Sequence, residues 1–163
     1  MRKNTKDVTS PRHLGQVTLR SLALPKNGAG RGRPMVARVG IDLVEIAKFR
    51  RVFQDRPALL ASVFTGEELR YGRAKRSPDP HLAARFAAKE ATLKALGTGL
   101  TTKLSWKDIE VIKELSGAPR LVLRGAAEEI AGSQGIISSS LSLSHSGSYA
   151  VAIVLFLSHG ASR

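Results

Sequence analysis

Cysteine is absent from this 163-residue sequence, which removes disulfide frameworks, zinc-thiolate sites and thiol nucleophiles at once. Aromatic residues are scarce: five Phe, two Tyr and one Trp, none of them in an RNA-stacking motif, leave little from which to build a base-stacking platform. No apolar run is long enough to cross a bilayer. The longest, Tyr149 to Leu157, has nine residues where a spanning helix needs about 20, so it reads as a buried strand and the chain as no integral membrane protein. Glycine-built phosphate loops are missing too, since neither G-x-x-x-x-G-K nor G-x-G-x-x-G occurs, and Gly97-Thr-Gly99 is too short to serve as one. Acids are the last scarcity. Thirteen Asp and Glu stand against 26 Lys and Arg, a formal net charge of +13, which invites a polyanionic partner: nucleic acid, an anionic surface, an acidic protein or a phosphate-bearing substrate.

What is present is 42% hydrophobic and 24% charged, the composition of one globular core. The charge is unevenly spread. Residues 1–34 hold eight basic residues against the single acid Asp7 and show no apolar periodicity, so this segment reads as a disordered basic extension; Met35, standing before the first strand-like run, is an alternative translation start. From there the pattern predicts a domain over 35–158 and a short tail over 159–163. Val36 to Val44 reads as a strand, and Glu45 to Gln54 as a helix with Ile46, Phe49, Val52 and Phe53 at helical spacing. Thr65 with Glu68 three residues on is a capping box opening a helix that runs to about Lys75. Ser77-Pro-Asp-Pro80 reads as a break, and His81 to Leu96 as the strongest helix, closed by Gly97. Strands over 109–115 and 120–123, a short helix over 126–131, and strands over 139–144 and 149–157 joined at His145-Ser-Gly-Ser148 complete an α+β pattern with an antiparallel sheet and a long packed helix.

Three positions stand out within that pattern. On a helical wheel Lys89 falls inside the stripe of Leu82, Phe86, Leu93 and Leu96, with Arg85 and Glu90 flanking it; the ammonium must either find a partner or snorkel to water. Asp42 is an acid in an otherwise apolar strand end, either a functional carboxylate or a cap for the helix that follows. His145, in Ser142-Leu-Ser-His-Ser-Gly-Ser148, is either an exposed turn residue or an imidazole presented to a ligand. A Ser-His nucleophilic pair is discounted, because strand neighbours face opposite ways and no G-x-S-x-G elbow occurs.

Taken together, Val39-Gly-Ile-Asp-Leu-Val-Glu-Ile46, Phe64-Thr-Gly-Glu-Glu-Leu69, Ala84-Arg-Phe-Ala-Ala-Lys-Glu-Ala91, Lys94-Ala-Leu-Gly-Thr-Gly99, Leu104-Ser-Trp-Lys-Asp-Ile-Glu110, Ser116-Gly-Ala-Pro119 and Leu143-Ser-His145 resemble the holo-acyl-carrier-protein synthases, small 4′-phosphopantetheinyl transferases. Arg38 departs from the pattern, which usually has Gly there. The resemblance implies magnesium-dependent transfer of 4′-phosphopantetheine from coenzyme A to a serine of apo acyl carrier protein, in cytoplasmic fatty-acid biosynthesis. It implies that Asp42 and Glu90 bind the metal, that Glu90, Lys94 and His145 act in catalysis, and that Arg85, Lys89, Lys94, Gly97, Gly99 and His145 contact coenzyme A. It further implies that the basic Lys48, Arg50, Arg51 and Arg56 dock the acidic carrier, and that three copies assemble with coenzyme A held between them. The rival reading is a basic nucleic-acid-binding module without catalysis.

Overall fold

The computed structural model describes residues 34–101 and 103–159, so the expectation for residues 1–33 and the end of the tail lies outside the described residues. Strand β1 (Met35–Glu45) leads into three short helices, α1 (Ile46–Phe53), α2 (Pro57–Val63) and α3 (Gly66–Arg73), and then the long α4 (Pro78–Leu96). A 3-10 turn (Trp106–Asp108) opens the hairpin β2 (Ile109–Lys113) and β3 (Pro119–Leu123). Helix α5 (Gly125–Ser133) and the hairpin β4 (Ile136–Ser146) and β5 (Tyr149–His159) close the fold. The main sheet is antiparallel in the order β1-β5-β4, and β2-β3 forms a separate two-stranded sheet.

Alternation along the strands makes the sheet two-faced. Gly40 of β1 and Ala150, Ala152, Val154 and Phe156 of β5 are buried against α4, while Val39, Ile41, Leu43 and Ile153 point the other way and are exposed. The helix answers with small residues: Ala83, Ala84, Ala87, Ala88, Ala91 and Ala95 are all buried, which lets α4 lie close on the sheet. Contact is tightest at Gly40, where a Cβ would fall 1.8 Å from the carbonyl oxygen of Ala91. A second cluster at the N-terminal half of α4 gathers Phe49, Phe53, Phe64 and Phe86, with neighbouring ring centroids 4.6–6.1 Å apart, and Trp106 lies 5.2 Å from Phe86.

Several sequence expectations need correction. Ser77-Pro-Asp-Pro80 is the first turn of α4 and not a break before it, because proline is tolerated where the helical N–H has no partner anyway. Helix α2 was not anticipated; its Pro57 at the first position and the apolar spacing of Leu60 and Val63 are the signals that mark it. Val52 is exposed and lies off the buried stripe of α1. β4 continues through His145, which pairs with Ala150, so the turn shrinks to Gly147 and Ser148, with Gly147 at φ +56°.

Candidate active site

Two groups of chemistry-bearing side chains assemble on opposite flanks of α4. The first depends on the Gly40 contact, which brings the inward face of β1 against the C-terminal half of the helix. Asp42, two residues along on that same face, thereby meets Lys94, whose ammonium donates to Asp42 Oδ1 at 2.8 Å and to the Ile41 carbonyl at 3.1 Å. Asp42 does not cap α1: the N-cap is Glu45 and no side chain bonds to the exposed N–H groups. Glu90, one turn before Lys94, is half-buried. Burial pushes its carboxyl above the ordinary range, the negative charge of Asp42 pushes it further, and Lys94 opposes both.

Two carboxylates that repel each other with one lysine between them form a charge arrangement that a hard divalent cation relieves. Magnesium suits such a pair, since it usually takes one or two protein carboxylates and completes its shell with water and substrate phosphate. Among the described residues no group of three or more His, Asp or Glu could hold a metal ion, so Asp42 and Glu90 could supply two protein ligands at most and water or phosphate would have to complete the shell.

The second group lines a cleft of about 180 Å³ between α3, α4, the β2-β3 hairpin and β4, walled by Tyr71, His81, Arg85, Lys113, Leu143 and His145. Arg85 is buried, stacks over the Tyr71 ring at 3.7 Å and donates to the His81 carbonyl, yet its Nε has no partner. Burial lowers its pKa, with Tyr71 and Glu68 opposing. The imidazoles of His81 and His145 meet edge to face at 4.9 Å. Burial lowers the His81 pKa, and the neighbouring His145, Lys75 and Arg85 lower it further. No acid lines this cleft. Of its residues Arg85 and His145 stand out in the sequence, and His81 lies one helical turn before Arg85 on α4; Tyr71 and Lys113 share no spacing with them, because they arrive from α3 and β2.

The other expected site residues fall elsewhere. Lys89 is fully buried, and its ammonium donates to Glu68 Oε2 at 2.9 Å, to the Trp106 carbonyl at 3.0 Å and to the Ile109 carbonyl. The expectation that it contacts phosphate is corrected: all its donors are taken inside the protein, and it neither snorkels nor braces Asp42 and Glu90. Gly97 terminates α4 in the left-handed region at φ +69°, and Gly99 follows in the exposed connection. Lys48, Arg50, Arg51 and Arg56 are all exposed on or just after α1, with Arg50 paired to Asp79 and with Arg51 and Arg56 walling one shallow depression.

Residues 38–154 match the family model described as the 4′-phosphopantetheinyl transferase superfamily. The chain is similar to the holo-[acyl-carrier-protein] synthase of Syntrophotalea carbinolica, 46% identical over 124 residues that cover 76% of this chain and 97% of the relative. It is similar also to that of Moorella thermoacetica, 47% identical over 116 residues covering 71% and 90%. Among solved structures, the Chronobacterium ammoniagenes ACPS-CoA complex superposes with a TM-score of 0.67 at 33% identity, covering 77% of this chain and 99% of that one. The Helicobacter pylori holo-[acyl-carrier-protein] synthase in complex with coenzyme A gives 0.64 at 31% identity, covering 72% and 98%.

Proposed function

The chain belongs to the 4′-phosphopantetheinyl transferase superfamily, and on that premise we propose that it transfers the 4′-phosphopantetheine of coenzyme A to a serine of apo acyl carrier protein, in fatty-acid biosynthesis. The serine oxygen attacks the pantetheine-bearing phosphorus of the pyrophosphate. The bond to the other phosphate breaks, adenosine 3′,5′-bisphosphate leaves and the hydroxyl proton is lost. Such displacements depend on positioning and on neutralising phosphate charge more than on covalent help.

The observation that carries the reading is Arg85: a buried guanidinium with an unpartnered Nε, in a cleft lined by cations and no acid. A phosphate ester supplies the charge this cleft lacks. His145 and Lys113 would contact the same anion. On the other flank Asp42 and Glu90 would hold magnesium, which when bound supplies charge neutralisation at the reacting pyrophosphate. Lys94 stands beside them on an exposed side chain that can turn from Asp42 to phosphate.

Arg85 and Glu90 are five positions apart on one helix, so their side chains diverge by about 140°. One coenzyme A bridging both groups is most simply accommodated if the carboxylates come from one copy and the cationic cleft from a neighbour. The outward face of the main sheet supports such an assembly: Val39 and Leu43 are each 62% exposed, and with Ile41 and Ile153 they form an apolar surface that a second copy of this chain would cover, as in a trimer. The basic α1 would dock the acidic carrier through Lys48, Arg50, Arg51 and Arg56. Nucleic-acid binding is disfavoured, because Phe49, Phe53, Phe64, Phe86 and Trp106 pack on one another and not on a stacking surface.

Incubation with coenzyme A, magnesium and apo carrier protein is expected to add one phosphopantetheine mass to the carrier serine. An unchanged carrier mass would overturn the proposed activity.

A further inference from the structure

The β2-β3 hairpin forms one wall of the cleft through Lys113, Gly117 and Pro119, yet it shares no hydrogen-bonded edge with the main sheet. In an antiparallel pair alternate residues of a strand turn their N–H and C=O groups away from the partner. On β2 those outward groups include the Ile109 carbonyl and the Val111 amide, both belonging to residues with essentially no exposure. A buried strand edge of this kind would ordinarily need another strand or would lose about 1–3 kcal/mol for each orphaned group.

Side chains take the strand's place. Lys89 donates to the Ile109 carbonyl, and Glu68 Oε1 accepts from the Val111 amide at 3.1 Å. The two are joined through Glu68 Oε2, which also accepts from the Thr65 amide at 2.9 Å. Next along the strand, Glu110 accepts from the Thr65 hydroxyl at 2.7 Å and from Arg124 at 2.9 Å. A helix serving only to pack would carry Leu or Met at position 89, since a buried ion pair is seldom more stable than apolar residues of similar volume. What the pair adds is direction: it fastens the edge of β2 to α3 and α4 at fixed points.

We propose that Glu68 is a positioning residue for coenzyme A: with Lys89 it acts as a surrogate strand that holds the β2-β3 wall of the cleft in place opposite Arg85 and His145. The inference rests on the reading of that cleft as the coenzyme A site. Glu68 is not among the residues lining the cleft; it acts on the site through the hairpin, and its charge also reaches Arg85.

Glu68→Gln tests it. The KM for coenzyme A is expected to rise about tenfold while the KM for carrier protein changes less than twofold, and amide exchange across residues 109–113 to quicken about tenfold. Should Glu68→Gln not fold, the doubly neutral E68Q/K89M chain, which carries no unpaired buried charge, gives the exchange readout. Wild-type exchange over 109–113, or both KM values rising together, would overturn the proposal. Arg85→Ala separates this from the underlying reading. If Arg85→Ala leaves coenzyme A binding unchanged, the cleft assignment fails and the proposal with it; if Arg85→Ala weakens binding and Glu68→Gln does not, the surrogate-strand role alone fails.

Discussion

Asp42, Glu90 and Lys94 owe their meeting to residues that carry no chemistry of their own, Gly40 and Ala91. Asp42→Ala and Glu90→Ala are each expected to lower magnesium-dependent transfer by about a hundredfold or more while the far-ultraviolet dichroism stays that of the wild type. Retention of the wild-type rate at limiting magnesium would remove that residue from the ligand set. His81 makes a separate prediction. Its pKa is lowered in the folded state, by burial first and then by the surrounding positive groups, so the unfolded chain binds the extra proton. Stability is therefore undiminished above the ordinary histidine range and declines as pH falls through it. Glu90, raised, acts in the opposite sense at lower pH, so the comparison to make is between wild type and His81→Gln: the denaturation midpoint should lose less in the variant between pH 7.5 and about pH 5.5. At this scale the sequence was informative where one side chain contradicted its surroundings, as with Asp42 and Lys89. It is silent on Tyr71 and Lys113, whose role exists only once α3 and β2 converge on α4.

Elements were legible wherever periodicity and caps agreed. β1, α1, α4, both hairpins and the Thr65-Glu68 capping box all follow from spacing, and the capping box forms as the sequence implies. Boundaries failed where one signal has two uses: prolines that break a helix interior also start a helix, and a histidine before a glycine turn can still belong to the strand. The close approach of β1 to α4 gives an element-level test. Gly40→Ala would drive a methyl group into the Ala91 carbonyl and is expected to cost about 3 kcal/mol, as the strand shifts off the helix. Loss of magnesium response at a temperature where the variant is still folded should accompany it; an unfolding free energy within 0.5 kcal/mol of wild type, about the scatter of neutral substitutions, would contradict the packing argument. On α1, Lys48→Glu is expected to raise the KM for carrier protein about fivefold at low salt with the KM for coenzyme A unchanged, and equal effects on both would count against docking there.

At the scale of the molecule, the charge of +13 divides into a basic segment ahead of Met35 and a domain whose cations have places: an anion-seeking cleft and a basic first helix. Composition alone could not tell nucleic acid from a phosphate-bearing cofactor. The packing of Phe49, Phe53, Phe64, Phe86 and Trp106 on one another favours the phosphate-bearing cofactor. Helical spacing alone sets Glu90 and Arg85 about 140° apart on α4; what no local pattern could reveal is that the one faces Asp42 and the other an acid-free cleft. The apolar outer face of the sheet supports the proposed resolution, a composite site that a neighbouring copy would complete. Mixing tests this most directly. Asp42→Ala and Arg85→Ala chains, each nearly inactive alone at low coenzyme A, should on co-refolding regain activity at about one site in four, because random assembly reunites an intact carboxylate pair with an intact cleft. A mixture no more active than its two components would contradict the account, leaving the reaction to be completed within a single chain.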